Sequence, residues 1–166
     1  SCQNLKEVST IPKSVKKIGN YAFGGCEQLK SFSFQDGCEI EIIGKSSFSH
    51  TSILSIPIPS KVQGLAENFS QSHNNILFFD IWPGNKYNEF IDQNYLVTKI
   101  NDEIILNYVN PDVEDVLIPS KITRIGKGSF RMCKDLNSVS FEENSQIKSI
   151  GEKAFCFSSL KILELP

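Results

Sequence analysis

A short internal repeat constrains this 166-residue chain more than any other feature. Ile18-Gly19 is followed four residues after the glycine by Phe23, and the same step recurs at Ile43-Gly44/Phe48, Ile125-Gly126/Phe130 and Ile150-Gly151/Phe155. Gly64-Leu65/Phe69 is a fifth copy with the pair inverted. Ile11 to Pro59 aligns without gaps on Ile118 to Pro166 at an offset of 107, preserving Pro12/Pro119, Cys26/Cys133, Leu29/Leu136, Phe34/Phe141 and Ile40/Ile147. A unit this short cannot bury its apolar face alone. Repeated units bury it against one another, so the chain is expected to be a stack of coils.

A second pattern lies between the Phe of one unit and the Ile-Gly of the next, with apolar residues at positions one, four and six. It is carried by Leu29/Phe32/Phe34, Ile53/Ile56/Ile58, Ile76/Phe79/Ile81, Val113/Val116/Ile118, Leu136/Val139/Phe141 and Leu160/Leu163/Leu165. Leu5/Val8 begins an imperfect copy. Its core alternates with period two, which predicts a short strand with one face buried. Segments 29–34, 53–58, 76–81, 113–118, 136–141 and 160–165 are therefore expected as neighbours in one parallel sheet. The unit beginning at Ile76 is 37 residues long, well beyond its neighbours. The excess lies in an inserted stretch, 83–112. There Tyr95 to Ile100 and Ile104 to Val109 are rich in Ile, Leu, Val and Tyr, and Asn101-Asp102 between them suits a tight turn. This predicts an antiparallel hairpin island, 95–109, outside the regular coil. Its deletion is expected to leave a folded stack.

The set Ile11-Pro12, Ile18-Gly19, Ala22-Phe23, Cys26, Leu29, repeated over 118–136, resembles the BspA-like (Treponema pallidum-type) leucine-rich repeat family. The resemblance spans the chain except for the insertion. It implies a leucine-rich-repeat solenoid: a β-rich, right-handed superhelix with little helix beyond single turns around the Phe-x-x-Cys segments. The expected organisation is one domain, 1–166, cut from a longer array. Phe23, Phe48, Phe69, Phe130 and Phe155 are expected to stack as an interior spine. The glycine of each Ile-Gly is expected either at positive φ or at a close backbone approach. Pro12, Pro59, Pro119 and Pro166 follow strands, where a missing N–H is expected to do no harm.

Composition narrows function mainly by exclusion. Seventeen basic against nineteen acidic residues give a net charge of −2, which argues against a phosphate-binding face and nucleic acid. No apolar run approaches the ~18 residues of a membrane span, and the polar segment Ser1 to Lys6 is not expected to act as a signal peptide. None of Cys2, Cys26, Cys38, Cys133 and Cys156 forms a C-x-x-C pair, so no zinc site is expected. Cys26 and Cys133 are expected as buried free thiols. The odd count leaves at least one thiol unpaired within the chain, and the state of Cys2, Cys38 and Cys156 stays open. His50 and His73 are expected on the outside, without a carboxylate partner, and make no metal site. Neither a catalytic triad nor a phosphate-binding glycine loop is present, so no enzyme and no cofactor are expected. Asn68-Phe69-Ser70 is the sole glycosylation sequon, making Asn68 a possible glycan site.

The outward strand positions carry the functional expectation. In the outer units they are mainly small and polar, Ser31, Ser33, Ser55, Ser138 and Ser140, beside Pro57, Ile162 and Glu164. Phe78, Asp80, Asp115 and Leu117 are not, and Trp82 follows Phe78 and Asp80 closely. If the insertion loops out, the two central coils bring these residues together, an apolar pair beside two carboxylates. They are the candidate binding residues, and the acidic pair favours a basic partner. The family resemblance, to surface proteins of mucosal bacteria and Trichomonas, implies a cell-surface or secreted adhesin binding a host or matrix protein. The alternative is a spacer repeat with no ligand of its own.

Overall fold

All seven copies of the one-four-six pattern yield strands, and the Ile-Gly motif yields a second, shorter set that the sequence reading did not anticipate. The computed structural model describes residues 2–66, 69, 76 and 78–166, and the chain divides into two compact units, Ser1–Asn88 and Glu89–Pro166. Among the described residues there is no helix. The Phe-x-x-Cys segments are turns.

The first unit holds β1 (Glu7–Ile11), β2 (Lys17–Ile18), β3 (Ser31–Phe34), β4 (Ile42–Ile43), β5 (Ser55–Ile58), β6 (Gly64–Leu65) and β7 (Phe78–Ile81). Strands from the one-four-six pattern pair parallel as β1–β3 and β5–β7. The Ile-Gly strands form an unbroken parallel ladder, β2–β4–β6, with Ile18, Ile43 and Leu65 in register. Burial alternates as the period of two requires: in β3, Phe32 and Phe34 face inward while Ser31 and Ser33 face out. Inside, Phe23, Phe48 and Phe32 stack, with centroids 5.6 Å apart for Phe23–Phe48 and 4.6 Å for Phe32–Phe48. Phe69 meets Phe79 at 5.9 Å.

The second unit comprises β8 (Asn88–Ile91), which starts at the unit boundary, then β9 (Tyr95–Ile100), β10 (Glu103–Val109), β11 (Asp115–Ile118), β12 (Arg124–Ile125), β13 (Ser138–Phe141), β14 (Ser149–Ile150) and β15 (Ile162–Leu163). The one-four-six strands pair parallel as β11–β13–β15. Its core gathers Val97, Leu106, Val109, Val116, Ile118, Ile122, Ile125, Phe130, Cys133, Leu136, Val139 and Ala154. Within this unit Phe130 and Phe155 pack with ring centroids 4.8 Å apart.

Two expectations need correction, and a third is decided between its alternatives. First, the one-four-six strands lie in three ladders, ending at β7 in the first unit and starting again at β11 in the second, with a further break between β3 and β5.

Second, the hairpin forms with the predicted strands and turn, Ile100 facing Glu103 across Asn101-Asp102, but it is not outside the coil. β10 pairs parallel with β12, Leu106 beside Ile125, in a five-stranded sheet ordered β14-β12-β10-β9-β8. It thus supplies the strand that Ile-Gly supplies elsewhere. The reason is apolar burial: Leu96, Val97, Leu106 and Val109 are all at most 1 % exposed. A looped-out hairpin would leave them in water.

Third, of the two expectations for the glycine of Ile-Gly, the close backbone approach holds and the positive φ does not. The left-handed residue comes two positions later, at Tyr21, Ser46, Gly128 and Lys153. The glycine is instead required by close stacking. A Cβ on Gly44 would lie 2.7 Å from the backbone of Gly19 and Asn20, and one on Gly151 would lie 2.6 Å from the Lys127 nitrogen. Gly19, in the first copy of the motif, has open space around it. Gly44→Ala is therefore expected to destabilise the chain by about 1–3 kcal/mol, as overpacking does. Gly19→Ala should change stability far less. Denaturation midpoints of the two variants check the difference; equal midpoints would refute the stacking account.

Candidate functional site

The five candidate residues all sit at or near the surface but fall in different units. In the first unit, β7 presents Phe78 (46 % exposed) and Asp80, and half-buried Trp82 follows. In the second, β11 presents Asp115 and Leu117 (53 % exposed), and Asp115 Oδ1 accepts a hydrogen bond from Ser138 Oγ at 2.6 Å. The looping-out on which a single central patch depended does not occur. Asp80 and Trp82 line one groove within the first unit; Phe78 does not line it.

That groove, about 580 Å³ and open to solvent, runs over β3 and β5. Its walls include Lys30, Leu54, Pro57, Asp80 and Trp82, and Phe32 and Phe34 contribute to its floor. Its origin is the missing β3–β5 ladder. In this parallel arrangement the main-chain N–H just past one strand donates to the last carbonyl of the strand before: Gln35 to Ile11 at 3.0 Å, Trp82 to Ile58 at 3.0 Å, Glu142 to Ile118 at 3.0 Å. The equivalent donor for the Phe34 carbonyl would be residue 59, which is proline. Two residues earlier, where β7 has Asp80 and β13 has Ser140, β5 has Pro57. Residues 54 and 58 turn their carbonyls toward β7, accepting from Phe78 and Trp82. Alternation therefore turns residues 57 and 59 toward β3. Neither has an N–H to give. Pro59 is thus not harmless, as the sequence reading had it, because its missing donor faces Phe34.

The coils still join on either side of this opening. Ser52 N–H donates to Leu29 at 2.9 Å, and β4 and β6 pair in register. Trp82 leans across the end of the groove onto Phe34, edge to face at 6.3 Å. Among the described residues, nothing holds the Asp80 carboxylate by hydrogen bond or ion pair. Sequence reasoning placed Asp80 correctly on the outward face, while Trp82, open there between a cap and an exposed anchor, is half-buried. It missed Lys30 and Leu54, and it missed the opening itself. The signal was available: two prolines two residues apart, both on the side of the strand that faces its predecessor.

The remaining candidates offer no chemistry. All five cysteines are free; Cys26, Cys38 and Cys133 are buried, Cys2 is exposed and Cys156 intermediate. Burial pushes the Cys133 thiol up to about 12 and raises those of Cys26 and Cys38, which keeps these three protonated and poorly nucleophilic. Among the described residues no group of three or more His, Cys, Asp or Glu could hold a metal ion, and no helix is long and apolar enough to cross a membrane. His50 is exposed beside Glu27. His73 and Asn68 lie outside the described residues. The exposed ion pairs are local: Lys61 and Lys99 hold Glu39 and Glu89, respectively, below the usual carboxylate range through hydrogen bonds.

The profile of the BspA type leucine rich repeat region, in six copies, matches residues 1–101 and 98–166. No curated protein is a significant match. Among solved structures, the pneumococcal vaccine antigen PcpA superposes with a TM-score of 0.84 at 24 % identity, over 98 % of this chain and 40 % of that one. A leucine-rich repeat protein from Eubacterium ventriosum does so with a TM-score of 0.72 at 20 % identity, over 92 % and 45 %. The chain therefore spans less than half of either relative. At these identities the likeness is one of fold.

Proposed function

Because this chain belongs to the BspA-type leucine-rich repeat family, we propose that it is a non-enzymatic, protein-binding segment of a longer cell-surface or secreted adhesin. It engages a host or extracellular-matrix protein through the outward positions of its strands. One observation carries the reading: Phe78 and Leu117 stand in solvent at outward strand positions where β3 and β13 carry serine. Phe78 and Leu117 are both about half exposed, with Asp80 and Asp115 two residues away on the same strands. A spacer needs only a soluble, uniformly polar face, and side chains of this kind are enriched where partners dock. The carboxylates favour a basic partner surface.

The test is capture of purified extracellular-matrix proteins, arrayed on a surface, by the wild-type chain and by Phe78→Ala and Asp115→Lys. The expected result is at least one captured protein whose affinity falls about tenfold in each variant, the size of a modest hot spot, while circular dichroism stays unchanged. Capture that neither variant weakens would remove Phe78 and Asp115 from the interface. Failure to capture any protein would favour the spacer.

A further inference from the structure

The gap between β3 and β5 is more than a dent in the surface. It exposes main-chain groups that every other pairing within these ladders uses. On β3, Gln35 donates toward β1, so residues 32 and 34 turn their carbonyls toward β5. There Pro57 and Pro59 present no donor. Two acceptors are left two residues apart along one edge, about 7 Å, which is the spacing of alternate N–H groups in an extended chain. An edge of unused main-chain groups is a template for pairing with another chain, and the Phe32 and Phe34 residues that carry it are fixed in the interior, each under 10 % exposed.

The surroundings of this edge are complementary to a peptide rather than to bulk water. Leu54, Pro57 and Trp82 give it apolar walls, and Asp80 sets an unpaired carboxylate on its β7 side. Lys30 lies at the start of β3. Next to Trp82 the groove offers both a flat ring and a negative charge, a combination that suits an apolar residue followed by a basic one.

We propose that the opening between β3 and β5 receives an extended segment of the partner protein, whose N–H groups bond the Phe32 and Phe34 carbonyls, with an apolar side chain against Trp82 and Pro57 and a basic one at Asp80. The proposal rests on the protein-binding reading above and adds to it a second contact site, apart from Phe78 and Asp115, with its ligand class. Binding by strand addition draws affinity from the main chain and specificity from alternate side chains. An acidic residue of the segment reaches toward Lys30.

Random dodecapeptides displayed on phage, selected on the immobilised chain and counter-selected on Pro57→Ser/Pro59→Glu, test this. The double variant copies Ser140 and Glu142 of β13 and restores both missing donors. It is expected to close the groove, keep or raise the melting temperature, and lose peptide binding. Selected peptides should carry Lys or Arg two positions from an apolar residue. As synthetic peptides read by fluorescence anisotropy, they should bind Asp80→Lys at least tenfold more weakly than wild type. Asp80 is exposed, so that variant stays folded whatever becomes of the double one. The proposal is overturned if no peptide survives counter-selection, or if Asp80→Lys binds as wild type does. Self-association of the free chain that the double variant abolishes would assign the groove to a second copy, and so also overturn it. The two readings fail separately. An arrayed matrix protein bound equally by wild type, Asp80→Lys and the double variant defeats the groove and leaves the adhesin reading. Peptides bound in the groove with no matrix protein captured do the reverse.

Discussion

Deleting residues 95–109 is expected to unfold the second unit. The hairpin contributes Leu96, Val97, Leu106 and Val109, all at most 1 % exposed, together with Thr98, fully buried and hydrogen-bonded to Asn107 at 2.6 Å. Burying a large aliphatic side chain is worth roughly 1.5–3 kcal/mol. Four of them approach the whole ~5–15 kcal/mol by which a domain is stable. The deletion also strips β12 of one of its two partners, since Ile105 and Leu106 pair with Arg124 and Ile125. Entropy works the other way but weakly, because shortening a connection changes closure cost by only about 0.6 kcal/mol per halving. In a two-dimensional amide spectrum, the resonances of 113–166 should collapse into the unfolded range when 95–109 is replaced by a short Gly-Ser linker. Dispersed resonances from that segment would show that the hairpin is dispensable.

The second large effect is expected from the aromatic interior. Phe48 and Phe130 are fully buried, Phe48 between Phe23 and Phe32, Phe130 against Phe155. Truncation of either to alanine removes the transfer free energy of a benzyl group and leaves a cavity that rigid coils cannot fill. The expected loss is about 3–5 kcal/mol for each. Phe155 is only partly buried, so Phe155→Ala should cost less than Phe130→Ala. Urea titrations with an unchanged slope would report the order directly. Equal, small losses at Phe48 and Phe155 would contradict the packing described.

Much of this architecture is legible from spacing alone. The apolar triplets marked every strand of the one-four-six pattern, although the strands start two residues into it. The Phe residues marked the interior, and Asn101-Asp102 marked the hairpin turn. What spacing could not supply was the direction in which each peptide group points. Pro57 and Pro59 were visible, but their effect depends on both facing β3. The role of β10 was hidden because Leu106-Asn107 replaces Ile-Gly. Its register partner lies 19 residues on, at Ile125, instead of 25 on as Ile150 lies from Ile125. The left-handed positions were missed because three of the four hold Tyr, Ser or Lys rather than glycine. For the binding site, residue type pointed to Asp80 and Trp82, while the groove they line arises from an absence of hydrogen bonds that no single residue announces.

The central claim is that two prolines open a peptide-binding edge in the first unit. Its most direct measurement is the set of intermolecular nuclear Overhauser effects between the labelled chain and an unlabelled peptide from the phage selection. The account predicts cross-peaks from peptide N–H and Hα protons to the backbone of Phe32, Ser33 and Phe34, with side-chain contacts to Trp82. Cross-peaks confined to β11 and β13, or to the ends of the chain, would contradict it.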